Sequence, residues 1–292
     1  MPNLGPFVIT GLAVGAIYAL SGVGLIVLYR TSGVLNFAYG GIGMFGAMVA
    51  WQLVQNGSPA WLAWIAAVIL AILFSLLYGR VLAPMLAYRD AVVKAVATLG
   101  FALILLGFAR WYWSDDPRQL PLPTDTMGIT IGIVRITGTR LLAFALTLLA
   151  TAGIALFLNR ARIGLSMRAL ANNRDLSALL GIHVLNVETW AWLISGIMAG
   201  ISGLLLADLV RLDSLVLTFL VIPATAAAIV GRMRSLWGTL AGGLLIGLLE
   251  ALGTPFQAIA PYRSVAPFVV AIVIILWLQR RAGITITGGE QQ

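Results

Sequence analysis

The sequence predicts an all-α integral membrane protein, a polytopic bundle of about eight or nine transmembrane helices in a single domain over residues 1–292. Hydrophobic residues occupy 61% of the positions and charged residues 10%, whereas soluble domains are about 45–50% apolar and about 25% charged. The apolar residues lie in long continuous runs, not in the short alternating segments of a membrane β-barrel. Membrane lipid is therefore the expected solvent for most of the chain.

Nine apolar runs are long enough to cross a bilayer as helices. They cover residues 5–28, 35–55, 60–79, 92–113, 140–158, 187–207, 214–231, 237–253 and 265–279. The run 35–55 begins near Asn36 and is rich in glycine, so a broken or re-entrant helix is the alternative there. The first run is too long for a signal peptide and has no basic residue before it, which predicts a spanning helix.

The basic residues predict the orientation of the bundle. If segment 159–186 is cytoplasmic and the runs alternate, twelve arginines and lysines lie inside and six lie outside. This places the N-terminus outside and the C-terminus in the cytoplasm. The basic residues that give the net charge of +8 then lie in the segments that flank the membrane spans. We therefore expect no nucleic-acid partner.

Two connections between the runs are long. The outer one, residues 114–139, follows an aromatic stretch at 111–113 and contains prolines that exclude a helix. Within it, residues 129–137 alternate around Gly132, which predicts a small β-hairpin.

The inner connection, residues 159–186, is too polar to span and predicts a cytoplasmic helix with Ser166 as N-cap and Gly181 just after its end. Helical spacing places Arg168 and Asp175 on a shared face. A helix lying on lipid headgroups is the alternative, but small residues and mixed charge favour docking into a partner. The residues expected at that coupling surface are Arg168, Ala169, Asn172, Asp175, Leu179 and Gly181.

Small residues recur at four-residue spacing in three of the runs. The pairs are Gly11 and Gly15, Gly196 and Gly200, and Gly243 and Gly247. Such pairs let helices approach closely in a membrane, so they predict a tightly packed bundle without indicating a substrate.

Ionisable and catalytic groups are sparse. The single lysine, Lys94, is not part of a phosphate-binding loop, so we do not expect this chain to hydrolyse ATP. We find no Cys, no cluster of His, Asp and Glu with metal-ligand spacing and no nucleophile–base pair, so neither catalysis nor a bound cofactor is expected. Glu250 is the clear charge inside an apolar run, where it lines a pathway or pins neighbouring helices. An ion-gradient-driven transporter acting without an ATPase is the alternative, and it would depend on Glu250.

Three stretches resemble the permease subunits of ABC importers of the branched-chain amino acid type. The opening Gly15-Ala-Ile-Tyr-Ala-Leu20 with Leu35-Asn-Phe-Ala-Tyr-Gly40 is similar to the family's opening motif, with Tyr39 where His is usual. Residues 168–182 are similar to its cytoplasmic helix, and residues 226–250 to its late glycine-rich signature ending in Glu250. The chain departs from that signature at Gly231-Arg-Met-Arg-Ser235, where the family usually has Gly-Gly-x-Gly-Ser, and at its C-terminal pattern.

The resemblance implies a bacterial inner-membrane importer in which this chain forms the translocation pathway for a small solute. The family's solutes include branched-chain and hydrophobic amino acids, amides, urea and small organic acids. The implied partners are a homologous second permease or a second copy, two ATP-binding subunits that use ATP and Mg²⁺, and an extracytoplasmic solute-binding protein. The expected pathway residues are Asn36, Phe37, Tyr39 and Glu250.

Overall fold

The structure, a computed structural model, describes residues 4–131, 134–256 and 265–282. Its α-helices are α1 Gly5–Ser32, α2 Tyr39–Gln55, α3 Ala60–Leu77, α4 Ala83–Met85, α5 Ala91–Trp113, α6 Gly138–Arg160, α7 Arg162–Asn172, α8 Arg174–Leu179, α9 Val184–Leu209, α10 Ser214–Thr218, α11 Val221–Val230, α12 Leu236–Gly253 and α13 Ala266–Ala282. A π-helical turn, Tyr78–Leu82, joins α3 to α4, and a 3₁₀ turn, Pro123–Thr126, precedes the strands β1 Gly128–Ile131 and β2 Val134–Thr137.

Six helices in the described residues are long and apolar enough to cross a membrane. They are Gly5–Ser32, Ala60–Met85, Ala91–Trp113, Gly138–Arg160, Val184–Leu209 and Leu236–Gly253. Shorter apolar helical stretches are Ser214–Val230 and Ala266–Leu276, and α2 has 17 residues. Helix therefore covers most of each of the nine predicted runs, and the prediction of a helical bundle is confirmed.

Helix α1 lies at the centre of the bundle and is almost entirely buried, packed by α6, α9, α11 and α12. We call the end of the bundle where α1 begins the near end, and the end that carries Ser32 the far end. Most side chains of α1 are small or aliphatic, and its buried residues run from Gly11 to Ser32 on all sides of the helix. Outer helices such as α3 and α5 expose many apolar side chains, as lipid-facing helices do.

Close contact between α1 and α12 depends on glycine. A Cβ atom on Gly247 would lie 2.4 Å from the Cα of Gly15, and one on Gly15 would lie 2.7 Å from the carbonyl oxygen of Gly243. The two glycine pairs predicted from the sequence therefore face each other across one interface. The third pair, Gly196 and Gly200, faces α3 at similarly short distances.

Two helical passages are interrupted. Residues 33–38 are not helical, and α2 begins only at Tyr39, which fits the break predicted near the start of run 35–55. Run 214–231, expected as one helix, is broken between α10 and α11 at Phe219 and Leu220. Pro223 explains this second break, because a proline ring clashes with the carbonyl four residues earlier, here that of Phe219.

The near-end connection 114–139 contains the predicted hairpin. Strands β1 and β2 pair antiparallel, with Ile129 opposite Ile136. The Oδ1 atom of Asp208, at the end of α9, accepts a 2.9 Å hydrogen bond from the backbone N–H of Leu122. This contact holds the connection against the bundle.

Candidate functional site: a near-end cavity and a far-end helix pair

A cavity of about 700 Å³ opens at the near end of the bundle. Its walls come from α1, α9, α10, α11, α12 and α13. Apolar side chains such as Phe7, Leu206, Phe219 and Phe268 form most of the lining. Ligand cavities have this character, apolar with a few polar groups that fix orientation.

Glu250 is the carboxylate in the cavity lining. The phenolic O–H of Tyr18 donates a 2.9 Å hydrogen bond to Glu250 Oε2. The close packing of α1 and α12 one turn earlier, at Gly247, brings these two side chains within reach. Glu250 therefore both lines the cavity and connects two helices.

The broken helix α10–α11 supplies another wall of the cavity. The side chain of Asp213 caps α10 by accepting hydrogen bonds from the N–H groups of Leu215 at 2.8 Å and Val216 at 3.0 Å. The turn at Phe219 and Leu220 then borders the cavity. Interrupted helices inside a membrane are stable only where they lie within protein or beside water, and this one does.

The other three predicted pathway residues do not line this cavity. Asn36 is buried, with its Oδ1 accepting a 3.0 Å hydrogen bond from the N–H of Ala38. The N–H of Phe37 donates to Thr98 Oγ1 at 3.0 Å, and the buried Tyr39 hydroxyl shares a 3.1 Å hydrogen bond with Ser202. The contacts of Asn36 and Phe37 hold the non-helical segment 33–38, and that of Tyr39 joins α2 to α9, all apart from the cavity that Glu250 lines.

At the far end, the expected single helix within 159–186 is wrong. The chain forms two helices, α7 and α8, separated by Asn173 in an extended conformation with φ −156° and ψ 110°. Asn173 Oδ1 accepts a 2.9 Å hydrogen bond from the N–H of Leu176 and so caps α8. Ser166 is not an N-cap, because α7 already begins at Arg162. Gly181, with φ +87°, follows the end of α8 as predicted.

The break also divides the predicted partner surface. Arg168 and Asn172 belong to α7, whereas Asp175 and Leu179 belong to α8, so these residues do not share one helical face. Arg168 is exposed and donates a 2.8 Å hydrogen bond to Asn159 Oδ1. Ala169, also on α7, is only partly exposed.

Helix α8 presents apolar side chains to its surroundings. The exposed fractions of Leu176, Leu179 and Leu180 are 53%, 85% and 75%. Helix α7, by contrast, buries Met167 and Leu170 in a cluster with Trp192 of α9. An exposed apolar surface on a short helix at the rim of a membrane bundle suits contact with a partner protein or with the lipid surface.

One ion pair at the far end was not predicted. Arg174 Nη2 lies 2.9 Å from Glu188 Oε1, which joins α8 to the first turns of α9. The sequence did contain a signal, because Glu188 stands in the second turn of a spanning helix, 14 residues after Arg174. The turn between α8 and α9 brings the two together, and their sequence spacing does not reveal this. Among the residues that the structure describes, no group of His, Asp and Glu side chains has the arrangement of a metal site.

Comparison with known proteins gives a consistent result. A sequence model of the family described as "Branched-chain amino acid transport system / permease component" matches residues 7–278. The chain is 28% identical to the high-affinity branched-chain amino acid transport system permease protein BraD of Pseudomonas aeruginosa, over 92% of each chain. It is 26% identical to the LivH permease of Escherichia coli over 91% of each chain. It is 29% identical to a probable LivH of Methanocaldococcus jannaschii, over 82% of this chain and 78% of that one.

Proposed function

The chain belongs to the family of branched-chain amino acid transport permease components, and we propose that it is a membrane-spanning subunit of an ATP-driven importer for branched-chain or related small apolar amino acids. Family membership and the apolar helices make it a multi-pass protein of the inner membrane. The observation that carries the proposal is the position of two features at opposite ends of the bundle. The cavity with Glu250 opens at the near end, and the exposed leucines of α8 lie at the far end.

We assign the near end to the outside and the far end to the cytoplasm. The unequal distribution of arginine and lysine supports this orientation, because twelve of the eighteen fall on the side predicted as cytoplasmic, among them Arg30, Arg168 and Arg234 at the far end. A solute released by an external binding protein would then enter the cavity directly. The cytoplasmic face would carry α7 and α8.

The near-end cavity is the proposed outer part of the translocation pathway. Its apolar walls suit an aliphatic side chain, and Glu250 with Tyr18 supplies a polar contact for the rest of the solute. A pathway with so few polar groups favours transient passage over tight retention. Specificity would then be set mainly by the external binding protein.

The exposed face of α8 is the proposed docking surface for an ATP-binding subunit. Leu176, Leu179 and Leu180 would insert into an apolar groove of that partner, a mode of recognition common for short helices. The chain itself has no phosphate-binding loop, so ATP and Mg²⁺ would be used by the partners. A second permease, either a homologue or another copy, would complete the pathway.

The test is co-purification after co-expression with the candidate partner subunits. We expect an ATPase to purify with the native chain and to be lost when Leu176 and Leu179 are both changed to Ser. Met85→Ser is the matched control, because Met85 is 76% exposed at the far end but lies outside α7 and α8.

Two results would overturn the proposal. The first is that no ATPase purifies with the native chain. The second is that the chain alone, in liposomes, accumulates solute driven by a proton or sodium gradient. That pair of outcomes would favour the ion-gradient-driven transporter, with Glu250 at the centre of its mechanism.

A further inference from the structure

An ion pair between Arg174 and Glu188 joins α8 to α9. The side chain of Glu188 is 11% exposed and that of Arg174 is 36% exposed, and the charged atoms are 2.9 Å apart. The second ion pair in the described part of the chain, Arg110 with Asp115, has side chains 39% and 60% exposed. Water screens exposed pairs and leaves them weak, whereas a sheltered carboxylate depends on its partner.

Glu188 is held in a mostly apolar environment. It lies one turn before Trp192, which is fully buried against Tyr78, with ring centroids 5.2 Å apart. Among the described residues, Arg174 is the cation that lies within ion-pair distance of Glu188. Separation of the two would leave a largely buried carboxylate with only the more distant charge of Lys94, which is unfavourable. Helix α8 therefore cannot move away from α9 at low cost.

The apolar side chains of α8 do not provide this attachment. Leu176, Leu179 and Leu180 are exposed, and Ser177 is the side chain of α8 that is buried. Helix α7 is attached differently, through apolar packing of Met167 near Trp192. A force applied to the leucines of α8 would thus reach the side of α9 through the charged pair, beside the backbone connections of α8 to α7 and to the start of α9.

Helix α9 extends from this pair to the near end. It is continuous from Val184 to Leu209, a length of about 39 Å at the usual rise per residue. Near its end, Leu206 and Leu209 line the cavity, and Asp208 binds the backbone of Leu122. One helix thus connects the far-end pair with both the cavity wall and the near-end loop.

We infer that Arg174 and Glu188 are positioning residues that transmit displacement of α8 to α9, and through α9 to the near-end cavity. This inference rests on the proposed function, because it takes α8 to be moved by an ATP-binding subunit. It goes beyond that function by naming the contact that carries the movement. The pair would move as one unit with α9, instead of forming and breaking in each cycle.

The test separates docking from transmission in the reconstituted importer with all its subunits. The variants are Arg174→Glu, Glu188→Gln and the charge exchange Arg174→Glu with Glu188→Arg. The control is Arg89→Glu, the same charge change on an exposed arginine at the far end. The readouts are ATPase co-purification, solute uptake, and stimulation of ATP hydrolysis by the loaded binding protein.

We expect Arg174→Glu to retain the ATPase but to reduce uptake and stimulation by about tenfold, the effect of losing a close charge pair. Glu188→Gln should reduce uptake and the stimulation of ATP hydrolysis less, since it leaves no buried charge unpaired. The charge exchange should restore at least half of native uptake, and the control should match the native chain.

Three outcomes would overturn the inference. Native uptake with Arg174→Glu would show that the pair transmits nothing. Loss of the ATPase with that variant would show that the pair only shapes the docking surface. Failure of the charge exchange to recover uptake, with the ATPase still bound and native thermal stability, would exclude the pairing itself. If the native chain bound no ATPase, the proposed function would fail first, and this inference with it.

Discussion

The hydroxyl of Tyr18 and the carboxylate of Glu250 meet in the wall of the near-end cavity, 2.9 Å apart and 232 residues apart in the chain. The contact joins α1 to α12 at the point where the cavity begins. It places the charge of Glu250 at a defined position on an otherwise apolar wall.

Glu250→Gln should reduce uptake by about tenfold while the ATPase still co-purifies, because the amide keeps a hydrogen-bond acceptor for Tyr18 but removes the charge. Tyr18→Phe should have a smaller effect, about threefold, because it removes only the hydrogen bond. Uptake by reconstituted importer is the measurement, with Tyr88→Phe, a fully exposed tyrosine, as control. Native uptake in the Gln variant would assign Glu250 to packing alone.

Gly247→Ala should destabilise the protein by about 1–3 kcal/mol, because the new methyl group would lie 2.4 Å from the backbone of Gly15. Gly153→Ala is the matched control, since nothing lies within 4 Å of a Cβ added there and alanine favours helix. Thermal unfolding in detergent, followed by size-exclusion chromatography, measures both. Equal stability of the two variants would contradict the tight contact of α1 with α12.

Arg232→Gly should stabilise the protein by about 0.5–1 kcal/mol. Arg232 has φ +54°, a left-handed conformation that costs most residues about 1–2 kcal/mol, and glycine relieves this at some cost in backbone entropy. Arg234→Gly is the control, because Arg234 does not have positive φ and should lose stability. A melting temperature that falls equally in both variants would count against strain at Arg232.

Asp208→Ala should loosen the near-end connection without unfolding the bundle. The backbone N–H of Leu122 would lose its acceptor, so its hydrogen exchange should accelerate by about tenfold. Mass-spectrometric exchange over residues 118–126 is the measurement. Asp116→Ala is the control, since the carboxylate of Asp116 accepts from Ser114 within the same loop. Unchanged exchange at Leu122 would show that the connection is held elsewhere.

The helices of the bundle and some of the contacts between them were predictable from the sequence. Helix was predictable wherever apolar runs were long, because a helix satisfies its own backbone in lipid, whereas a membrane β-barrel is built from short alternating segments. The facing glycines of α1 and α12 were recognisable by their spacing, although which helices they join was not. The hairpin at 128–137 followed from alternation around a glycine.

The breaks were harder to predict. Pro223 was visible in the sequence, but a proline inside an apolar run is compatible with a kinked helix as well as with a broken one. At Asn173 the competition is between a continued helix and a capped new one, and a single side-chain hydrogen bond decides it. Asparagine followed by Arg174 and Asp175 was a usable signal for a helix start.

The candidate site was predictable only in part, because it depends on contacts between distant segments. Glu250 was identified correctly as a charge within a span, and its cavity position follows from the partners of α12. Asn36 and Tyr39 were selected by resemblance; Asn36 accepts a hydrogen bond within a non-helical segment, and Tyr39 shares one with Ser202 of α9. Glu188 was missed, since its partner Arg174 lies on a separate helix.

The burial of α1 has a consequence for biosynthesis. This helix precedes its final neighbours α9 and α12 by many residues in the chain, and its contact with Glu250 spans 232 residues. Until those helices arrive, lipid or an insertion chaperone must occupy the glycine-lined surface that they will cover. The central helix therefore gains its final contacts only after α12 has been synthesised, and the synthesis of α12 is the step that allows the final assembly to form.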